Sequence, residues 1–328
     1  MTKMKKILAV GLAAVLALSF AACSNGENAA EGGSNATDAT TVKTGLAVVS
    51  SISEVKETTL TIDSVAAAVL VDADGKVVQV KIDEAQTKPD LAVDNGNVTD
   101  LRTKLEKQGD YNMKGASPIG KEWYEQIDAF ETWATGKTVD EIKAGVGEDG
   151  YPTDADLTAG CTMNANGFVT AISNAVAGAQ DLGATSADKL NIKITTEKYY
   201  ESSETNLQYD SNYAAVTTDA DGKITSCLID ASQAKCTIAD GKFTVAEGAF
   251  KSKKELKEDY NMKGVSPIGK EWYEQAAAYE DWAIGKTAAD ISAAVGTDGY
   301  ASDADLKAGC TIIITSIAAT VAAAATVA

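Results

Sequence analysis

The sequence predicts an α+β fold that contains two tandem copies of one small domain, each an antiparallel sheet followed by helices. The main observation is an internal repeat: DYNMKGASPIGKEWYEQ (Asp110 to Gln126) recurs with one change at Asp259 to Gln275. A shorter motif, DLTAGCT at Asp156 to Thr162, recurs as DLKAGCT at Asp305 to Thr311. In each copy, alternating apolar residues come first and apolar residues at helical spacing follow, which indicates strands and then helices.

Composition divides the chain into four segments. Residues 1–22 have a basic start and an apolar stretch, which is typical of a secretory leader. Residues 23–42 are rich in Gly, Ser, Asn and Ala, and we expect them to form a flexible tether because they lack the large apolar side chains of a core. Two domains are predicted to follow, at 43–182 and 183–328, each long enough to bury a core.

The end of the leader carries a candidate lipidation site. Two alanines precede Cys23, as in a bacterial lipobox, where the cysteine is acylated and becomes the mature N-terminus. Buried lipid methylenes would then anchor the chain. The alternative is an ordinary signal peptide followed by a chance cysteine. We expect a protein held by lipid on the extracytoplasmic face of the cell membrane.

Charge and composition exclude several functions. The 328 residues carry a net charge of −18, so the surface repels nucleic acid and anionic headgroups, and we expect no nucleic-acid partner. Histidine is absent, which excludes imidazole catalysis, histidine-ligated metals and the usual c-type haem attachment. We therefore expect neither histidine-based chemistry nor a metal site.

Four cysteines follow Cys23 in the chain. Cys161 and Cys310 are equivalent in the two copies, whereas Cys227 and Cys236 have no cysteine counterparts, so the repeat requires no disulfide framework. We expect buried thiols. A disulfide between Cys227 and Cys236 is the alternative in an exported protein.

Each copy begins with a predicted β-hairpin. β-branched runs lie on both sides of Asp-Gly-Lys, which places turns at Asp74–Gly75 and Asp221–Gly222. The alternation of apolar residues after the first turn predicts that Val78, Val80 and Ile82 face the core.

A long helix follows the hairpin. Ser117–Pro118 predicts its start, because serine is a good N-cap and proline suits the first turn. Gly136 is expected to end it. Its buried face should contain Trp123, Ile127, Phe130 and Ala134.

Shorter helical signals complete each copy. Thr138 with Glu141, and Thr287 with Asp290, form capping-box patterns at the start of a second helix. Apolar spacing predicts a terminal helix in each copy, with buried faces at Phe168, Ile172 and Val176, and at Ile313, Ile317 and Val321. The uncharged run Thr311–Ala328 is the last of these, and we interpret it as a core helix and not as a membrane span.

The repeated motif places Thr162 and Thr311 directly before apolar segments, where we expect helices to begin. A phosphate joined to either hydroxyl would then lie near unpaired backbone N–H groups. Gly160 and Gly309 are expected to let a bulky group approach the backbone. The alternative is that aspartate and threonine cap a helix after a glycine turn.

The order of elements and the motif resemble the FMN-binding domain family, whose signature is D-x-x-S-G-A-T. Here alanine stands for the serine and cysteine for the alanine of that signature. The leader, tether and twin domains are most similar to the pheromone-precursor lipoproteins of Gram-positive extracellular electron transfer. The matching residues are Asp156, Ala159, Gly160, Cys161 and Thr162, and Asp305, Ala308, Gly309, Cys310 and Thr311.

The resemblance implies a covalent flavoprotein. Thr162 and Thr311 would each hold FMN through a phosphodiester bond installed by a separate, FAD-consuming flavin transferase, with two FMN per chain. The motif aspartates, glycines and cysteines would contribute to the cofactor sites. Such a chain would carry electrons from a quinol-oxidising donor at the membrane quinone pool to an extracellular acceptor, and it would need no substrate-converting residues.

Other side chains and another function remain open at this level. Trp123 with Tyr124, and Trp272 with Tyr273, could pack on a flavin ring, but core packing is the favoured interpretation for both tryptophans. Lys121 and Lys270 could meet a phosphate or only solvate a helix start. The alternative function is a non-redox lipoprotein module that binds a partner protein, a cell-wall glycan or a small solute.

Overall fold

The structure is a computed structural model that describes residues 39–326. The predicted leader, Cys23 and nearly all of the predicted tether lie outside the described residues. The strands of the described part, β1 to β8, are Lys43–Ser53, Thr61–Val71, Val77–Thr87, Lys189–Lys198, Asn206–Thr218, Ile224–Ala239, Lys242–Thr244 and Gly248–Phe250. Its α-helices, α1 to α10, are Lys104–Lys107, Trp123–Ala134, Val139–Ala144, Ala155–Gly160, Asn166–Ala177, Lys253–Leu256, Trp272–Ala283, Ala288–Ala293, Ala304–Gly309 and Thr315–Thr326.

The strands form two antiparallel four-stranded sheets, which confirms the α+β class. Their orders are β3-β2-β1-β8 and β4-β5-β6-β7. The short strand β8 pairs with β1 through Ser50, Ser51 and Ile52, so a strand from the second predicted domain extends the sheet of the first. The boundary predicted at residue 182 therefore does not separate the strands of the two sheets.

The two sheets pack face to face, which the sequence did not predict. Alternate residues of β2 point to opposite sides: Ala66, Ala68 and Leu70 meet the second sheet, while Val65 and Val69 meet the helices. Strand β2 is thus buried on both faces, and a continuous run of apolar residues is typical of such a strand. The second sheet contributes Leu190, Ile192, Ile194, Tyr213, Ala215 and Leu228 to this shared core.

Helices cover the outer face of each sheet, giving the order helices, sheet, sheet, helices. Helix α5 packs on β1 and β2, and α10 packs on β4 and β5. Helices α2 to α5 recur as α7 to α10 at a constant offset along the chain. No helix within residues 39–326 is both long and apolar enough to cross a membrane. The predicted core role of the last helix is confirmed, since Val321 and Ala324 are fully buried in α10.

Both hairpin turns lie where predicted. Gly75 and Gly222 adopt left-handed φ angles of 77° and 74°, which glycine tolerates without strain. Val80 and Ile82 face the helical core as expected, but Val78 packs toward the opposite sheet. The prediction for Val78 was wrong because a β-bulge shifts the register between Leu70 and Val71, and an extra residue reverses the alternation.

The start predicted for the long helix was also wrong. Helix α2 begins at Trp123 after the N-cap Glu122, and Glu122 and Glu125 form a capping box. Gly120 adopts a φ of 64°, so a helix cannot continue through it from Ser117. The predicted face is confirmed, since Trp123, Ile127, Phe130 and Ala134 are buried.

The remaining helical predictions hold except at Val176, which is only partly buried, and at Ile313. The capping boxes of Thr138 and Thr287 are both formed. Ile313, predicted to be buried, is 57% exposed, because α10 begins only at Thr315 and Ile313 lies in the loop before it. Helical spacing was applied there to a residue that is not helical.

The thiols are buried and free, as expected. This holds for Cys161, Cys227, Cys236 and Cys310. Burial raises the pKa of Cys236 to about 11, so its thiol stays protonated and unreactive at neutral pH.

The hydroxyl of Tyr279 gives a stability prediction. It is buried in the second helical core, the cluster between the second sheet and helices α7 to α10, and has no hydrogen-bond partner among the described residues. The equivalent position of the first copy is Phe130, which has no hydroxyl. Because an unsatisfied buried hydroxyl is unfavourable, Tyr279→Phe should raise the free energy of unfolding by about 1 kcal/mol in urea denaturation. Tyr213→Phe is the control and should lower it, since Tyr213 shares a 2.6 Å hydrogen bond with Ser232. A loss of stability in Tyr279→Phe would contradict the assignment.

Buried Asp83 gives a pH prediction. Burial raises its pKa from 3.8 to about 7, although hydrogen bonds from Thr103, Glu84 and Leu105 oppose this. The folded chain therefore keeps a proton that the unfolded chain loses above pH 3.8, and the stabilisation present at low pH disappears as pH rises toward 7.

Replacing this carboxyl should flatten that dependence. Asp83→Asn should remove about 2 kcal/mol of the fall in unfolding free energy between about pH 5 and 7, measured by urea denaturation. The exposed turn variant Asp74→Asn serves as the control. An unchanged slope in Asp83→Asn would contradict the prediction.

Candidate functional site: two threonine clefts

The motif threonines lie in loops and not at helix starts. Thr162 follows α4, and α5 begins only at Asn166. Two N–H groups near that start are occupied, since Ala165 N donates to Gly150 O at 2.7 Å and Asn166 N donates to Asn164 Oδ1 at 3.1 Å. The expectation that Thr162 lies directly at a helix start was therefore wrong, because three loop residues separate it from α5.

A buried glutamine fixes Thr162 instead. The Oε1 atom of Gln126 accepts hydrogen bonds from Thr162 N at 2.8 Å and Thr162 Oγ1 at 3.2 Å. The other end of the amide donates to Ser117 Oγ at 3.0 Å and Lys121 O at 3.2 Å. Gln126 is fully buried, so this amide joins the serine turn, helix α2 and the threonine loop into one rigid unit.

The second copy has the same arrangement. Gln275 Oε1 accepts from Thr311 N at 2.8 Å and from Thr311 Oγ1 at 3.0 Å. Its Nε2 atom donates to Ser266 Oγ at 3.1 Å and to Lys270 O at 3.2 Å. Two threonine hydroxyls are thus held in equivalent positions by equivalent amides.

Each threonine forms part of the wall of an open cleft. The first cleft, beside Thr162, has a volume of about 430 Å³. Two of its aromatic rings, Trp123 and Phe168, meet edge to face with centroids 6.2 Å apart. Its wall includes Val65, Glu84, Lys104, Tyr111, Met113, Ser117, Trp123, Tyr151, Met163 and Phe168.

The second cleft, beside Thr311, is larger, with a volume of about 1110 Å³. Trp272 lies in its wall and is buried, as Trp123 is in the first cleft, so the predicted core packing of both tryptophans is confirmed. The wall also includes Tyr199, Tyr200, Asp210, Lys253, Tyr260, Met262, Val265, Ser266, Tyr300, Cys310, Ile312 and Ile313.

One lysine lies over aromatic rings in each cleft. Lys104 Nζ is 5.0 Å from the Tyr111 ring centroid and 5.9 Å from that of Trp123. In the second cleft, Lys253 Nζ is 4.9 Å from the Tyr260 centroid, and Trp272 lies at 5.4 Å. Each cleft therefore combines aromatic surface, which suits a planar aromatic ligand, with a lysine ammonium, and in the first cleft that ammonium is paired with Glu84.

The rim of the second cleft is unusually apolar. Val265 and Tyr200 are both 81% exposed, and Ile313 and Tyr300 are also largely exposed. At the first cleft, only Tyr151 is a large exposed apolar side chain of this kind. Exposed apolar groups around a concave surface mark a place where ligands or partners bind.

The motif aspartates do not reach the clefts. Asp156 and Asp305 are exposed on the short helices α4 and α9 and form no part of either cleft wall. The preceding acids Asp154 and Asp303 are the N-caps, each accepting two backbone N–H groups.

The motif glycines serve helix packing and not ligand approach. A Cβ atom on Gly160 would lie 2.6 Å from Ala129 Cβ, and one on Gly309 would lie 2.7 Å from Ala278 Cβ. Each glycine thus lets a short helix touch the long helix of its own copy. The expectation that these positions face a bulky group was wrong, because a helix already occupies the space.

The motif cysteines point inward. Cys161 belongs to the first helical core, and Cys310 belongs to the second core and forms part of the second cleft wall. Burial raises the pKa of both thiols, which keeps them protonated. Each acts as a small apolar side chain behind its threonine.

The sequence predictions missed the glutamines, the serines they bind and the ring-stacked lysines. A residue-by-residue comparison of the two copies contained the signal. Gln126 and Ser117 lie within the repeated segment, and a Thr-Lys or Ser-Lys pair at Lys104 or Lys253 precedes it in each copy.

A comparison with known proteins finds a partial similarity. The chain is 34% identical over 91 residues to a chlorophenol reductase of Desulfitobacterium hafniense, a match covering 23% of this chain and 28% of that protein. The chain therefore spans little more than a quarter of the curated relative it matches. No protein-family model matches the chain, and no solved structure matches it.

The buried amides give a testable prediction about the threonine loops. Gln126→Leu should lower the free energy of unfolding by about 2 kcal/mol, because Thr162 N–H and the Lys121 carbonyl lose a buried partner. Urea denaturation measures the change, and Gln275→Leu should behave alike. Gln180→Leu, at an exposed position, is the control. Equal stability of the Gln126 and Gln180 variants would contradict the role given to the amide.

Proposed function

We propose that the chain is a membrane-anchored extracytoplasmic electron carrier, with FMN joined through phosphodiester bonds to Thr162 and Thr311. We propose further that 43–182 and 183–328 are two FMN-binding domains of one repeat. Electrons would come from a quinol-oxidising membrane donor and go to an extracellular acceptor. Cys23 would carry the lipid, and a separate flavin transferase would attach the flavins.

One observation carries this proposal: both motif threonines present a hydroxyl at the wall of an aromatic cleft that also contains a lysine. Half-burial leaves Thr162 and Thr311 accessible from the cleft, while the glutamine amides hold them in place. A helix-capping role would not require such a cleft. Neither threonine is the N-cap of the helix that follows it, since the N-cap of α5 is Ala165 and α10 begins only at Thr315.

The residues present fit FMN in size and chemistry. Cleft volumes of about 430 and 1110 Å³ are typical of small-molecule and cofactor sites. The partly buried rings of Tyr111 and Tyr260 offer apolar surface for a planar ring system. In the second cleft Lys253 offers charge to a phosphate, whereas in the first cleft Lys104 is paired with Glu84. When bound, flavin would supply the electron-accepting chemistry, for which no side chain of this chain substitutes.

The glutamine geometry tolerates attachment. Esterification removes the hydroxyl proton of Thr162 and with it the 3.2 Å hydrogen bond to Gln126. The shorter bond from Thr162 N, at 2.8 Å, is unaffected because it uses the backbone. The loop therefore keeps its position when the side-chain oxygen forms an ester.

The exposed motif aspartates suit recognition by another protein. Asp156 and Asp305 lie outside the clefts and are open to solvent. We propose that the transferase recognises these aspartates and that they do not bind the flavin ring.

A covalent bond also prevents loss of cofactor to dilution outside the cell, which would remove a non-covalent flavin.

The apolar rim of the second cleft favours the alternative function. Val265, Tyr300 and Ile313 could bind an apolar ligand or partner in a non-redox lipoprotein module. The partial similarity to a chlorophenol reductase is compatible with redox chemistry, and it covers too little of that protein to identify a reaction.

Flavin content separates the two functions. Protein coexpressed with a flavin transferase should be yellow and show two flavin increments by intact mass spectrometry. Thr162→Ala and Thr311→Ala should each lose one increment, because each removes one attachment oxygen. Expression without the transferase should give unmodified chain.

The control variant is Thr158→Ala, which removes an exposed hydroxyl from the same motif. It should keep both increments, and Thr162→Ser should also keep both. A colourless, unmodified wild-type chain from the coexpression would favour the binding module.

A further inference from the structure

The two clefts differ in how their ring-stacked lysine is neutralised. In the first cleft, Lys104 Nζ forms an ion pair with Glu84 Oε1 at 2.7 Å, and both side chains are only 10% exposed. The nearby Glu84 carboxylate outweighs the effect of burial and raises the pKa of Lys104. The pair contributes no net charge to the cleft.

In the second cleft this carboxylate is missing. The position of Glu84 in the repeat is occupied by Ala231, which is buried in the cleft wall. Lys253 occupies the position of Lys104, and within residues 39–326 its ammonium contacts the Tyr260 and Trp272 rings and forms no ion pair. Its positive charge therefore acts on the cleft without a partner.

The other charges around the clefts preserve this difference. The first cleft has Glu84 and Lys104 as its only charged wall residues among those described. The second has three lysines and two acids: Lys198, Lys253, Lys307, Glu197 and Asp210. Of these acids, Glu197 is exposed and bonded to Ser316, and Asp210 accepts hydrogen bonds from Gln208 and Gln233.

The carboxylates of the long helices, behind the clefts, do not account for the difference in charge between the two clefts. Glu131 pairs with Lys81 at 2.6 Å in the first copy. Its counterpart Glu280 pairs with Lys254 at 2.5 Å in the second. Both are neutralised from different positions of the repeat, so they leave the charge of Lys253 uncompensated, next to Lys198 and Lys307 in the wall of the second cleft.

We infer that Lys253 makes the flavin on Thr311 easier to reduce than the flavin on Thr162. This inference rests on the proposed function. Two-electron reduction of a flavin near neutral pH takes up one proton and leaves one negative charge, with a quinol or dithionite as the reductant that is oxidised. A cation held in a partly buried cleft stabilises that product, whereas a neutralised ion pair does not. Lys253 would act only through its positive charge, which stabilises the reduced flavin, and it would take no part in bond making or breaking.

Reduction potentials of single-flavin chains test the inference. Thr162→Ala leaves the flavin on Thr311, and Thr311→Ala leaves the one on Thr162, so each potential is read by dye-coupled spectroscopic titration. We expect the Thr311 flavin to have the higher potential. Lys253→Gln should lower it toward that of the Thr162 flavin.

Two exchanges of the counter-charge provide matched controls. Ala231→Glu should recreate the ion pair and lower the Thr311 potential, and Glu84→Ala should raise the Thr162 potential. If Ala231→Glu does not fold, the potentials of the Lys253→Gln and Glu84→Ala variants are sufficient to test the inference. Equal potentials in the single-flavin chains, or a Thr311 potential unmoved by Lys253→Gln, would overturn the inference.

Failure of the proposed function has a different outcome, namely chains that carry no flavin. The charge difference is then tested by calorimetric titration of unmodified chain with free FMN. Binding that weakens in Lys253→Gln and strengthens in Glu84→Ala supports the asymmetry. Binding that neither variant changes, or no binding at all, overturns it.

Discussion

The buried amides of Gln126 and Gln275 are the constraint on which the two clefts depend. Each amide satisfies a backbone N–H of the threonine loop and a carbonyl of the turn before the long helix. Each long helix is in turn fastened to its sheet, since Glu131 accepts a hydrogen bond from Ile82 N at 2.7 Å and Glu280 accepts one from Ile229 N at 2.6 Å. The threonine is thereby fixed relative to the sheet through two buried polar contacts. An apolar residue in place of the amide would leave the loop without partners inside the protein, where unpaired polar groups are unfavourable.

The face-to-face packing of the sheets explains why the two copies behave as one body. Strand β2 has small and branched apolar residues on both faces, so it needs a cover on each side. Helix α5 covers one face, and the second sheet covers the other. Each sheet therefore supplies the layer that the other sheet lacks. The clefts stay accessible because they form at the loops around the threonines and not in the shared core between the sheets.

Local rules predicted much of this fold. The hairpin turns, the buried face of α2 and both capping boxes follow from residue type and spacing alone. The sequence rules failed at two local irregularities, the bulge that turns Val78 and the left-handed Gly120 that delays α2. They also failed where a tertiary contact decides, as in the packing of Gly160 on Ala129. The face-to-face packing of the sheets was missed for a related reason, since alternation shows that a strand face is apolar but not which element covers it. At the site, the threonines were identified from the motif. Their glutamine partners were not, because a buried amide inside a helix gives no periodic signal.

The central claim is that the two clamped hydroxyls are attachment points for a redox cofactor. Peptide mapping by mass spectrometry, on protein purified from its own host, tests this most directly. The account predicts that the peptides containing Thr162 and Thr311 each carry a flavin phosphate on the threonine. Finding both peptides unmodified, in protein that has never been exposed to alkali or phosphodiesterase, would contradict it.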